Sequence, residues 1–299
     1  MKKRVRLSVV IATHNEEENL PLSLPPLVGF ADEILIADGE STDNTVKIAK
    51  SFGATVIPMT NKRMFHHNKQ AAGDQASGEW ILYLDADEIV TDALKEEILQ
   101  ILDGNHPSLQ GVATADYLPT TVRKAYLAHL HNLEVRDQKK FQTSQRITAY
   151  FIARKNWFLG AYLMHAGVFP DGVIRLVKKG TAVWPCKDVH ETMDVQGGVG
   201  WLIEPMLHQA DPTFSRYLMR ANRYTNLTAD QLTSMHVPIS FSSWIYYLIW
   251  KPLKIFVLLF FRHKGFKDGF SGFVWALMSG LHWPIAFLKY VESSYTRGH

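Results

Sequence analysis

The sequence predicts an α/β protein: a Rossmann-like sheet with helices on both faces, followed by apolar helices held at a membrane. Three observations predict it. Short β-branched runs alternate with helical patterns through the first hundred residues. Acidic residues recur where those runs end. The last sixty or so residues turn apolar, aromatic and basic together.

The first run, Val9 to Ala12, is continuous and apolar, as in a strand buried on both faces. Glu33 to Ala37, Ala54 to Ile57 and Trp80 to Leu84 are the second, third and fourth strands. Between them, Thr42-Asp43 opens a helical pattern through Val46, Ala49 and Phe52 that Gly53 closes. Thr91 precedes Leu94, Ile98, Ile101 and Leu102, which share one helical face, and Gly104 ends that run. Such alternation makes a parallel sheet with ligands beyond the carboxyl ends of its strands. From Gly111 to about Pro212 the pattern is less regular, with a strand at Ala149 to Ala153 and many aromatic residues in loops. Thr213 to Met235 reads as a helix with a polar face.

The end of the chain differs. Phe241 to Phe261 is almost wholly apolar, broken by Lys251, Pro252 and Lys254, and Gly269 to Leu288 is a second stretch broken by His282 and Pro284. Each is near the length that spans a bilayer, but lysines mid-span are costly. Helices in the plane of the membrane, with lysine heads among the phosphates, accommodate them better. From His236 onward seven Lys or Arg face two acids, although the whole chain is only +3. Basic and apolar residues in one segment suit a membrane surface and argue against nucleic acid. The single Cys186 excludes a disulfide framework and a thiolate zinc site. The basic start leads directly into the first strand without a cleavage site, which predicts a cytoplasmic catalytic part. The expected division is 1–235 as catalytic domain (1–110 for the nucleotide, 111–235 for the acceptor) and 236–299 as membrane-associated helices.

Asp85-Ala86-Asp87-Glu88 follows the fourth strand, so two carboxylates sit where a ligand is expected. Positions two apart on an extended chain point the same way, which would aim Asp85 and Asp87 at one point. Such oxygens suit Mg²⁺ or Mn²⁺ bridging to phosphates. Asp38 ends the second strand, placed to accept from a base or ribose, while Asp43 fits a helix cap. Thr13-His14-Asn15-Glu16 ends the first strand. Lys69 lies on the helix before the fourth strand, either near a nucleotide or simply exposed. Arg175 can fork onto phosphate oxygens or stand as a surface strand arginine. His208 reads first as a loop or core histidine.

Ser8-Val9-Val10-Ile11-Ala12-Thr13-His14-Asn15-Glu16, then Ile34 to Asp43, then Gly78 to Glu88 resemble the family 2 glycosyltransferases with the GT-A fold, a Rossmann-like mixed sheet. Within that family, Pro170-Asp171-Gly172-Val173-Ile174-Arg175-Leu176, Val189-His190-Glu191 and the basic Arg262 to Gly269 are similar to the lipopolysaccharide-core β-glucosyltransferase group, with a departure at Val173-Ile174. The resemblance implies a nucleotide-diphosphate sugar donor, a UDP-sugar by expectation, with Mg²⁺ or Mn²⁺. The implied acceptor is lipid-linked or a surface glycan; the missing export signal and the apolar, basic end set the expected place at the cytoplasmic face of a membrane. The resemblance implies nucleoside binding by Thr13, Asn15, Glu16 and Asp38, an approach of Lys69 to the base or phosphates, and a ribose or metal contact for Asp85. Asp87 would ligate the metal directly.

Inversion at the anomeric carbon needs a base for the acceptor hydroxyl's proton, and Glu191 is the candidate, with Asp188 as its rival. His190 is a possible third metal ligand. Two rival functions stand beside this one. A polyprenyl-phosphate sugar synthase would need no base, and a membrane-anchored nucleotide-sugar-binding protein would not turn over.

Overall fold

The computed structural model describes residues 5–61, 66–109, 115–137, 140–186 and 192–296, with the backbone alone at 142–145. Contacts group the chain into two units: residues 1–154 with 171–208, and residues 155–170 with 209–299.

The first unit is built on a mixed sheet. Its strands are β1 (Leu7–Thr13), β2 (Glu33–Gly39), β3 (Thr55–Met59), β4 (Trp80–Asp85), β5 (Glu88–Ile89) and β6 (Gln142–Phe158), which runs on into the second unit. After β7 (Ala161–Leu163) in the second unit come β8 (Asp171–Lys178), β9 (Ala182–Val183), β10 (Asp194–Val195), β11 (Gly198–Trp201) and β12 (Met206–Asp211). The order is β3-β2-β1-β4-β8-β6-β12-β5. The four strands expected from sequence are parallel neighbours, each joined to the next through a helical crossover; β1, β2 and β4 are buried on both faces, while the outer β3 is partly exposed. β8 then runs antiparallel to β4 and to β6, which makes the sheet mixed.

The helices of this unit are α1 (Leu20–Ser23), α2 (Thr45–Ser51), α3 (His66–Gln75), α4 (Asp92–Leu102) and α5 (Thr120–Asp137). Thr91 caps α4 by accepting from the Leu94 N–H, as its position predicts. Leu94, Ile98 and Ile101 of α4 join Val9, Ile11, Ile36, Leu82 and Leu84 in one core. Burial of about ten such side chains, at roughly 1.5–3 kcal/mol each, is what holds the sheet to its helices. Gly73 matters to the site. A Cβ there would lie 1.9 Å from the Tyr83 hydroxyl, so the missing side chain lets α3 settle onto β4. The middle of the chain is more regular than expected. The 18-residue α5 and the 17-residue β6 both lie in it. Tyr126 of α5 donates to the Val199 carbonyl at 2.6 Å and sits against Trp201.

The second unit holds α6 (Phe214–Ser234) and two apolar helices, Phe241–Arg262 and Gly269–Thr296, joined by a short 3₁₀ turn. Thr213 caps α6. A Cβ on Gly280 would lie 2.7 Å from the Pro252 carbonyl oxygen, so the apolar helices approach closely there. Lys251, read from sequence as a head for the phosphate layer, turns inward onto the Trp283 ring, 2.9 Å from its centroid. His165 pairs with Asp268 through both its backbone N–H and Nδ1, each at 2.7 Å, and so fastens the segment before β8 to the turn. Within this unit α6 packs on Gly269–Thr296 through Ala229, Leu232, Phe287 and Tyr290.

Candidate active site

Three strand ends meet at one edge of the sheet. Thr13 at the end of β1 is in register with Asp38 on β2, and Ala12 with Asp85 on β4. Acidic residues at this edge are expensive unless matched, and the structure matches each in a different way.

Asp38 is buried and holds the first two loops. Its Oδ1 accepts from the hydroxyls of Thr13 at 3.0 Å and Ser41 at 2.6 Å, and its Oδ2 accepts from the Ser41 N–H. Asn15 adopts the left-handed backbone, φ 56°, which an asparagine tolerates, and its Oδ1 accepts the Thr42 N–H at 2.8 Å. Glu16 takes part through its N–H to Thr45 and through Oε2, which accepts from Asn19. Thr13, Asn15, Glu16 and Asp38 are thus brought together as one braced cradle. The N-cap of α2 is Asn44, whose side chain makes no cap hydrogen bond; one residue before that position, Asp43 accepts the N–H groups of Thr45 and Glu17 and so ties the helix start to the first loop. This bracing replaces the cap expected of Asp43. Burial pulls its carboxyl up slightly, yet the hydrogen bonds from Thr45 and Glu17 hold it below the usual carboxylate range.

Asp85 lies in a chain of alternating charges. Lys69 bonds its Oδ1 and Arg175 its Oδ2. Arg175 also donates to Glu88 at 2.6 Å, Glu88 lies 3.4 Å from Arg154, and Arg154 pairs with Asp171 at 2.7 Å. Neither Lys69 nor Arg175 is on the surface: Lys69 is 0% exposed and Arg175 4%. The exposed-lysine and surface-arginine readings are therefore corrected. Their residue types predict solvent, but Gly73 seats α3 against β4 and delivers Lys69 to the carboxylate. Arg175 spends one guanidinium nitrogen on Asp85 and Glu88, where a fork onto a phosphate was expected. Burial pushes the Asp85 carboxyl up, but Arg175 and Lys69 outweigh it and hold it well below the usual range. Burial pushes the Lys69 ammonium down and Asp85 restores only part of the loss. Burial also lowers Arg175, but Asp85 and Glu88 more than reverse this.

Asp87 goes elsewhere. β4 ends at Asp85, and Ala86-Asp87 form a turn, so the alternation that would aim both aspartates at one point does not apply. Asp87 Oδ2 faces His208 Nε2 at 3.5 Å, both largely buried. Pairing of β5 with β12, His208 opposite Glu88, creates this neighbourhood. Sequence reasoning reads His208 first as a loop or core histidine, and the structure sets it beside Asp87. Its signal was only its chemistry, since 121 positions separate it from Asp87. Glu88 and Arg154 were missed as well. Among the described residues no cluster of three or more metal-ligating side chains occurs.

Glu191, His190 and Asp188 lie outside the described residues. The chain approaches them from Trp184, whose N–H donates to Gln70 Oε1 at 2.9 Å and whose ring stacks on His66 at 4.2 Å. The same ring lies 5.9 Å from Lys69 Nζ, so this segment starts beside the charged chain.

The chain is similar to several known proteins. A lipopolysaccharide core biosynthesis glycosyltransferase of Rhizobium meliloti is 26% identical over 293 residues, covering 94% of this chain and 90% of that protein. An uncharacterized glycosyltransferase of Rickettsia felis is 26% identical over 273 residues, covering 90% and 83%. Among solved structures, a mannosyltransferase of Pyrobaculum calidifontis in complex with GDP-Man and Mn²⁺ covers 97% of this chain and 88% of its own, at 12% identity and a TM-score of 0.49. The mixed α/β sheet is the GT-A fold expected of the sequence. The model of glycosyl transferase family 2 matches residues 8–160, just over half of the chain. With that match and this sheet, the chain belongs to glycosyl transferase family 2 and is a glycosyltransferase.

Proposed function

We propose that this glycosyltransferase is inverting and metal-dependent, moving a hexose from a UDP-sugar to a lipid-linked or surface-glycan acceptor such as lipopolysaccharide core, at the cytoplasmic face of a membrane. The observation that carries the reading is the division of labour at the end of β4. Asp85 has both oxygens matched by cations, whereas Asp87 is paired with a histidine.

A carboxylate oxygen and an imidazole nitrogen facing each other at 3.5 Å are a donor pair that fits Mn²⁺ better than Mg²⁺, which prefers oxygen alone. Asp87 and His208 would hold it, with His190 as a further ligand. When bound, it would neutralise charge on the departing diphosphate. The protein's own residues do the rest. The braced loops of Thr13, Asn15, Glu16 and Asp38 receive the nucleoside. Asp85, fixed by Lys69 and Arg175, presents an ionised edge to a ribose or sugar hydroxyl. Glu191, or its rival Asp188, takes the proton of the acceptor hydroxyl as that oxygen bonds to the anomeric carbon. The bond to the diphosphate breaks on the opposite face, and nucleoside diphosphate leaves. The similarity to the Rhizobium meliloti protein supports the choice of acceptor, and the apolar helices support a lipid-borne one.

The test is transfer from UDP-, GDP- and dTDP-sugars to a membrane-lipid extract with Mn²⁺ or Mg²⁺. Release of one nucleoside diphosphate with formation of a glycolipid, lost in Glu191→Gln, is the expected result. Release that survives in Glu191→Gln points to a phosphate acceptor. No release from any donor by folded protein overturns the reading.

A further inference from the structure

We propose that the two apolar helices of the second unit lie flat in one leaflet of an anionic bilayer and do not cross it. This rests on the membrane-bound reading above and adds the orientation that the helices take.

Both helices present an apolar stripe that stands exposed among the described residues. On Phe241–Arg262 it includes Ile249, Trp250, Leu253 and Phe261, each more than half exposed, and none of that helix's most apolar window is buried. On Gly269–Thr296, Phe270, Phe273, Leu277, Leu281, Ile285 and Leu288 recur every three or four residues, all exposed. Length and hydropathy alone would let either helix span a membrane.

The neighbour of the second helix decides between the two orientations. α6 lies along it: Tyr217 meets Trp275, Thr228 bonds His282 at 2.9 Å, and Leu232 shares a cluster with Phe287 and Val291. Those contacts run over 15 residues of α6, roughly 22 Å of helix, most of the roughly 30 Å hydrocarbon thickness. On its other side α6 exposes Arg223, Asp230 and Gln231. A helix pair crossing the bilayer would drag that polar side through hydrocarbon, which is the costly arrangement. With the pair lying flat, α6 stays in water on the far side and the apolar stripes enter the lipid.

Charge selects the occupant. Lys254 and Arg262 lie on the exposed stripe, and Lys264 and Lys267 are exposed in the turn that follows. Anionic headgroups match them, with the lysine stems lying on apolar surface. A second copy related by a two-fold axis would set these cations against their own images.

The experiment uses the full chain in a Cys186→Ser background, with a nitroxide attached after each of Ile249→Cys, Leu253→Cys, Val257→Cys, Phe261→Cys, Arg223→Cys and Asp230→Cys in turn. Depth is read by electron paramagnetic resonance from oxygen against nickel-complex accessibility. The vesicles are phosphatidylcholine with or without phosphatidylglycerol. Expected are binding to the anionic vesicles weakened at least about tenfold by Lys254→Glu with Arg262→Glu, equal shallow depth at 249, 253, 257 and 261, and water contact at 223 and 230. Depth that rises to a maximum within the helix, with 223 or 230 dry, overturns the flat orientation and leaves membrane binding standing. Labels that dry out only as protein concentration rises, without vesicles, show a second copy on this face. Labels that stay wet throughout, with no vesicle binding, remove membrane binding itself.

Discussion

The two units solve opposite problems with surface and charge. The first draws Lys69, Arg175 and Arg154 inward and balances them against Asp85, Glu88 and Asp171. The second leaves several large apolar side chains outside, with Phe241 at 81% exposure and Phe270 at 72%. Water is the natural partner of what the first unit buries, and lipid of what the second exposes. A buried charge set is tolerable where its geometry shapes a ligand site, because its cost is offset by partners already in place. An exposed apolar stripe is tolerable only where something other than water meets it.

The sharpest way to break the comparison is at Asp87. Asp87→Ala should lower transfer by on the order of 10³-fold with the fold intact, read from initial rates and circular dichroism. His208→Ala should weaken Mn²⁺ binding about 10- to 100-fold, measured by titration calorimetry, if the pair acts together. Arg175→Met leaves Asp85 to Lys69 alone and Glu88 to Arg154 alone, and should cost about 3–5 kcal/mol in urea unfolding. Addition of Glu88→Gln should return part of that loss. The sign with pH follows from Asp85. Its folded-state pKa is depressed, so its stabilisation is present above the unfolded value of about 3.9 and is lost as pH falls through the lower folded value. Urea midpoints of the intact protein should show no loss from this group down to about pH 4.

In the second unit the effects should be smaller. Lys289 donates to the side chains of Asn222, Thr225 and Asn226 and fastens the second apolar helix to α6, so Lys289→Met should cost about 1–2 kcal/mol. Leu253→Ser should change stability by less than about 0.5 kcal/mol in detergent, because that side chain touches little of its own chain.

What was legible in the sequence follows the same division. β1, β2 and β4 are buried on both faces, and that condition writes itself as an unbroken apolar run. The caps at Thr91 and Thr213 are local hydrogen bonds and can be read locally. Helix α5 was not legible, since it buries only Tyr126, Leu130 and Leu133 and shows little periodicity. The burial of Lys69 and Arg175 was hidden because their types point to solvent, and only the close seating of α3 on β4 reverses that. Asp87 and His208 are joined by strand pairing between distant segments, which no local pattern records. Asp85 and Asp87 were expected to act together because the chain was taken as extended, where it turns.

The six alternating charges of the first unit also limit how such a chain can change over generations. They come from α3, β4, β5, β6 and β8, and each is the neighbour of an opposite charge on another segment. A single substitution that loses one charge leaves its partner stranded, so drift at these positions has to pass through a poorly folding intermediate or proceed in matched pairs. Selection for a new sugar would meet less resistance on the loops after β1 and β2, whose exposed members can vary without unsettling that balance.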